Sequence, residues 1–257
     1  MSVSTFHQKP TSAAKRVGSQ TWFETMAILR HGEQLLISIV IPIVVLLALI
    51  HTSVLDNVAK SAGVSKVQLA TPGVLALCIM SSAFTGQAIA TAFDRRYGVL
   101  KYLATTPIGR SGLLMGKVCA VFIVALIQLI VISIIAIMNG WHPVVSGIPY
   151  AAISVILGVA AFTSLGLLMG GTLRAEATLA LANLIFVLLV AVGGLIYPSS
   201  MLPPVLRWFS EHSPSGALGD ALRVALEQGQ ASPYAWIVLL VWIIVCTFGC
   251  VKFFKWQ

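Results

Sequence analysis

Six uninterrupted apolar runs set the limits on what this chain can become. They cover about residues 35–52, 72–93, 118–138, 148–171, 177–196 and 234–251, each close to the roughly 20 residues a helix needs to cross a bilayer. The runs are rich in Leu, Ile, Val and Ala and do not alternate as the strands of a membrane barrel would. In lipid, helices are then the remaining way to satisfy their backbone groups. Hydrophobic residues make up 58% of the chain and charged residues 9%, against roughly 25% charged in soluble domains. The expected fold is all-α and polytopic, a single six-span membrane domain over residues 21–257. The short "TLRAE" between the fourth and fifth runs makes them an antiparallel hairpin.

Charge orients the chain. With the N-terminus in the cytoplasm, twelve of the sixteen Lys and Arg fall inside, leaving Lys60, Lys66, Arg207 and Arg223 outside, while the eight acids divide four and four. The positive-inside rule therefore places both termini in the cytoplasm. The net charge of +8 reflects that topology and contact with anionic lipid headgroups. The basic residues form no single soluble patch, which argues against nucleic acid as a partner.

Residues 1–20 are polar, lack the apolar core of a signal peptide, and read as a flexible cytoplasmic tail. From Thr21 the pattern changes. Thr21 and Glu24 stand at capping-box spacing. Trp22, Met26 and Leu29 follow at helical intervals with Phe23 beside them, while Glu24 and Arg30 face elsewhere. This predicts a helix lying in the membrane interface before the first span. Pro42 is expected to kink that span.

The stretch "FDRRYGVLKYLATTPIGRSGLLMGK" (93–117) separates the second and third runs and holds five Lys and Arg. At roughly 2.5–3.5 kcal/mol for each at a bilayer centre, it cannot be embedded. Tyr97, Leu100, Leu103 and Ala104 recur at helical spacing, and Pro107 and Gly109 end the segment. A short cytoplasmic helix with an apolar stripe can lie on headgroups, pack on its own helix ends, or dock in a partner.

Asp94, Arg95, Gly98, Leu103, Thr106, Pro107, Gly116 and Lys117 resemble the loop between helices two and three of type-2 ATP-binding-cassette (ABC) transporter permeases. Asp94 departs mildly from a family in which the acid is often Glu. The resemblance implies a coupling helix at about 94–109, carrying Asp94, Arg95, Arg96, Tyr97, Gly98, Leu100, Lys101, Leu103, Thr106 and Pro107 into a groove of an ATP-hydrolysing subunit. It further implies a bacterial cytoplasmic-membrane exporter built from two permease copies, or a copy and a paralogue, with two ABC ATPase subunits. ATP and magnesium belong to those subunits, and this chain is expected to hold no cofactor and to be no enzyme. "GLLMGKV" (112–118) falls short of a phosphate-binding loop, because Val118 stands where Ser or Thr must hold magnesium.

Little else carries chemistry. Cys78, Cys119, Cys246 and Cys250 lie in or beside spans without a C-x-x-C pair, and the five His are scattered, so no metal site is expected. No acid or base lies deep in a run, which counts against ion-coupled transport. Neutral polar residues do occur there, and Gln87, Gln128 and Asn183 are candidates for a translocation path. "GLLMG" (166–170) permits close helix approach. The polar segment 197–233 is expected to form two short amphipathic helices, from Pro203 or Pro204 and from Pro214, at or partly inside the external surface. In the resembled family such helices close the exit, and Trp208 and Phe209 would be the gate. The expected cargo is a hydrophobic or amphipathic compound, first a drug- or antibiotic-like molecule, second a lipid or lipid-linked glycan. A membrane enzyme acting on lipids, or a passive scaffold, is the alternative from another class.

Overall fold

The computed structural model describes residues 12–30, 32–99 and 109–254. Among these, five helical segments are long and apolar enough to cross a membrane, and a bent pair supplies a sixth. The first helix, α1 (Ala13–Arg30), begins eight residues before the expected start. Thr21 is therefore no N-cap: its hydroxyl donates to the Val17 carbonyl at 2.9 Å, one turn back. The capping-box spacing is real but falls mid-helix, where the Thr backbone donor already has an intrahelical partner. The polar stretch 13–20 is helix too, since α1 packs along the third span.

The first span is α2 (Gly32–His51), which stays helical through Pro42. The sharp change of direction, 64°, comes instead beyond His51, between 38–51 and 53–62. There α3 (Asp56–Ala62) is tied back by Lys66, which pairs with Asp56 at 2.9 Å and donates to the Thr52 carbonyl at 3.0 Å.

The second span is the core of the bundle. It comprises α4 (Lys66–Met80), a π-helical segment (Ser81–Gly86) and α5 (Gln87–Arg96), and nearly all of α4 is buried. The third span is α6 (Gly109–Met138), the fourth α7 (Ile148–Thr172) and the fifth α8 (Ala175–Val192). The expected hairpin joins α7 to α8 through two residues. The 166–170 motif does what its spacing suggests. A Cβ on Gly166 would stand 2.8 Å from the Phe84 carbonyl oxygen, and one on Gly170 2.5 Å from that of Ala88. Only glycine lets α7 lie against the π segment and α5 this closely.

The fifth span stops at Val192, four residues short of its apolar run. Gly193 and Gly194 end it, the latter in the left-handed region at φ +72°, which a side chain disfavours. Two short helices follow, α9 (Pro204–His212) and α10 (Pro214–Gln228), beginning at the expected prolines. Ser213 caps α10, accepting from the Gly216 amide at 3.1 Å. Their burial differs from an all-surface arrangement. α9 exposes Val205, Trp208 and Phe209, whereas Leu218, Ala221, Leu222 and Ala225 of α10 are fully buried against α4, α7 and α11 (Pro233–Phe253), the sixth span. A Cβ on Gly147 would fall 1.7 Å from the Ala225 carbonyl oxygen, so α10 is wedged into the bundle.

Candidate transport cleft

A cleft of about 920 Å³ runs along α2, α4, the π segment, α5, α6 and α8, with α1 at one end and Leu195–Ile196 at the other. Its walls are mostly apolar, and its middle carries a belt of neutral polar groups. Ser82 Oγ donates to Gln128 Oε1 at 3.0 Å, and Gln128 Nε2 donates to Ser38 Oγ at 3.0 Å. One glutamine thus bridges α2, the second span and α6. Gln87 Nε2 donates to Thr91 Oγ1 at 3.0 Å, and Asn183 Nδ2 to the Leu179 carbonyl at 2.8 Å. These bonds hold each amide in place without charge, which a low-dielectric wall tolerates at modest cost.

The end of the cleft at α1 is charged. Lys117 Nζ lies 2.8 Å from Asp94 Oδ2 and 3.1 Å from Glu24 Oε2, joining α6, α5 and α1. Gln20 Nε2 donates to the other Glu24 oxygen at 2.9 Å. The Lys117 side chain is 4% exposed, against 29% for Asp94 and 13% for Glu24. Phe93 and Tyr97 stack beside them, 6.0 Å between ring centroids and 28° between planes.

The opposite end rests on a buried arginine. Arg223 Nη1 donates to the Gly194 carbonyl at 2.7 Å and to Asp220 Oδ1 at 3.1 Å, and Nη2 donates to the Leu195 carbonyl at 2.5 Å. Those carbonyls are free because the helix has broken at Gly193–Gly194. Arg223 is 5% exposed, and burial lowers its pKa, with Asp220 and Glu227 opposing. Glu227 is pushed above the usual carboxylate range by burial, against the pull of Arg223. The Leu195 carbonyl leaves no room beside α4: a Cβ on Gly73 would lie 1.8 Å from it. Ser199 and Ser210 hydroxyls, 2.7 Å apart, close the turn beneath.

Among the described residues, five apolar spans with a bent pair as a sixth, and two short helices before the last span, form a consistent pattern. The family model described as ABC-2 type transporter matches residues 16–226. The chain belongs to that family. It is the membrane subunit of a transporter, and membership implies an ABC ATPase partner. No curated protein matches the chain.

The expected site residues of this ABC-2 permease fall in different places. Gln87, Gln128 and Asn183, chosen only as polar residues within spans, all line the cleft. Trp208 and Phe209 do not: they sit exposed on α9, with Trp208 stacked on His212 at 4.7 Å. What meets the outer end of the cleft is Leu195 and Ile196. Trp22 and Phe23 point outward from α1, Met26 and Leu29 are half-buried, Arg30 is exposed, and Glu24 is taken up by Lys117.

In the loop, Asp94, Arg95 and Arg96 form the last turn of α5 rather than the start of a separate helix. Gly98, at φ +73°, ends that turn. Arg95 donates to the Gly171 and Leu173 carbonyls, and Arg96 pairs with Glu176. Both arginines thus fasten the second span to the α7–α8 turn. Tyr97 is 72% exposed. Leu100, Lys101, Leu103, Thr106 and Pro107 lie outside the described residues. Among the described residues no group of three His, Cys, Asp or Glu could hold a metal ion.

Sequence reasoning passed over two residues. Arg223 counted as an external charge, and its one signal is a lone Arg within the apolar stripe Leu218, Leu222, Ala225. Lys117 matched the family loop but had no partner assigned, because Glu24 lies 93 positions away.

Proposed function

We propose that the cleft is the translocation path of an ATP-driven exporter that moves a hydrophobic or amphipathic compound out across the bacterial cytoplasmic membrane. Drug- or antibiotic-like molecules are the first class, lipids or lipid-linked glycans the second. The observation that carries this reading is the cleft itself: apolar walls, a belt of fixed neutral hydrogen-bonding groups, and a charged cluster at the α1 end. Such a lining suits a solute that brings its own apolar surface, and disfavours a small ion that would lose hydration on entry.

The motor is a separate ABC ATPase. The segment 94–109, with Tyr97 exposed at its start, is its docking surface, and a second permease copy or a paralogue completes the transporter across a two-fold axis. A lever of this kind shifts an equilibrium only if it contacts the motor differently in its two states. Both termini are cytoplasmic, and α1 rests on lipid headgroups through Trp22 and Phe23. Topology is tested by cysteine labelling at the exposed positions 22 and 205. Only position 205 should react from outside, and the reverse would invert the membrane orientation.

Vesicles containing the permease and its ATPase test the transport itself. Amphipathic compounds should stimulate hydrolysis and accumulate, and Gln128→Leu should reduce accumulation with the protein still in the membrane. Uptake of a small hydrophilic ion, with amphipathic compounds inert, overturns the reading.

A further inference from the structure

The two ends of the cleft differ in charge. Among the described residues only Glu24, Asp94 and Lys117 bring charge to the cleft lining, and two carboxylates against one ammonium leave the cluster at −1. The hidden member is the cation. Lys117 is almost completely covered and already engaged by both acids, while Asp94 keeps the largest exposed share of the three. Of the described residues next in the chain, Arg95 turns to the α7–α8 turn and Arg96 to Glu176.

A solute at the mouth therefore meets carboxylate, not ammonium. It also meets aromatic faces, because Phe93 and Tyr97 both line the cleft and stack within one turn of Asp94. A carboxylate beside aromatic rings, opening into apolar walls, is the chemistry that holds an organic cation: the rings attract positive charge through their quadrupoles and the acid supplies the counter-charge. A phosphate or sulfonate meets the opposite field.

We infer that the mouth formed by Glu24, Phe93, Asp94 and Tyr97 selects amphipathic organic cations, such as quaternary ammonium or phosphonium compounds, over anionic amphiphiles. This deepens the pathway reading above and rests on it.

Two ions of nearly one shape, tetraphenylphosphonium and tetraphenylborate, separate charge from hydrophobicity, and the smaller triphenylphosphine oxide serves as a neutral aryl control. Binding is measured by equilibrium dialysis on the full chain in a neutral detergent, with empty micelles subtracted. Phosphonium should bind at least about tenfold more tightly than borate. Asp94→Asn should weaken phosphonium about tenfold and leave the phosphine oxide within about twofold, which also reports an intact cleft. Tyr97→Ala removes an exposed ring with little cost to folding, and should weaken phosphonium about threefold.

Equal binding of phosphonium and borate overturns the inference while leaving the pathway standing. So does phosphonium affinity unchanged in both variants. If no probe binds, the neutral one included, the pathway reading fails and this inference with it.

Discussion

Both ends of the cleft are built on one buried basic side chain, yet the two are held in opposite ways. Lys117 is held by side chains: two carboxylates from two other helices. Arg223 is held mainly by backbone, through the Gly194 and Leu195 carbonyls that the broken fifth span leaves free, with Asp220 alone adding a carboxylate. Side-chain partners can be redesigned together, as can the charge they carry. Backbone partners cannot. The Lys117 end is thus open to variation in charge, whereas the Arg223 end demands an arginine, whose planar fork alone reaches two carbonyls at once.

The largest effect should come from Arg223→Ala. It leaves the buried Gly194 and Leu195 carbonyls without their donor and Asp220 without its cation, a loss of about 3–5 kcal/mol. Thermal unfolding in detergent should fall sharply, and a cysteine at position 195 should become reactive from the external side. Arg223→Lys should recover little, since one ammonium cannot span both oxygens. Recovery close to wild type would remove the contrast drawn above.

Lys117→Met comes next, at about 1–3 kcal/mol, less than the loss at Arg223 because its partners are partly exposed and can recruit water. The sharper test is the double variant Lys117→Met with Asp94→Asn. It removes the cation together with the nearer of its two acids, leaving only Glu24 uncompensated, and should regain part of the loss, which no substitution can do for Arg223. Failure to recover would show that Lys117, too, is held by something other than charge.

The pH response should be smaller and confined to the outer end. Burial raises the Glu227 carboxyl above its usual range, so folding favours its protonated form. Stability from this group is fully present below the ordinary carboxylate value of about 4.3 and is lost as pH rises through the raised one. Glu227→Gln should flatten that slope and gain about 1 kcal/mol or less at neutral pH. A slope that survives the substitution assigns the titration elsewhere.

The weakest effect on stability, and the most local, is expected at the loop. Gly98→Pro cannot adopt φ +73° with a ring fixed near −65°, and should lower ATPase co-purification or uncouple hydrolysis while most of the membrane fold persists. Full association and transport in this variant would detach the loop from the motor.

What could be read beforehand follows from the same contrast. Spans declare themselves because twenty apolar residues have few alternatives in lipid, and Pro204 and Pro214 mark helix starts because their missing amide costs nothing there. The polar lining emerged from composition alone, since Gln87, Gln128 and Asn183 are conspicuous in apolar runs. The outer end stayed hidden. A carbonyl freed by unwinding at Gly193–Gly194 has no letter in the sequence, so neither the early end of the fifth span nor the burial of Arg223 could be inferred. The Lys117 cluster was half visible: its three residues stand in legible motifs, but their meeting depends on α1 running along α6 from Ala13.

The π-helical stretch Ser81–Gly86 has a consequence for how the pathway is aimed. A π turn accommodates one residue more than its α-helical neighbours, and one residue corresponds to about 100° of rotation. It therefore works as a phase shifter halfway along the second span. The half above is locked by tight backbone contact at Gly73, while the half below carries Gln87, Asp94 and Tyr97 into the cleft. Deleting Ala83 should restore an unbroken α-helix and swing those three side chains about a quarter-turn away, even though every one of them is still present. The bearing of the inner mouth is written in a residue count, not in a residue type.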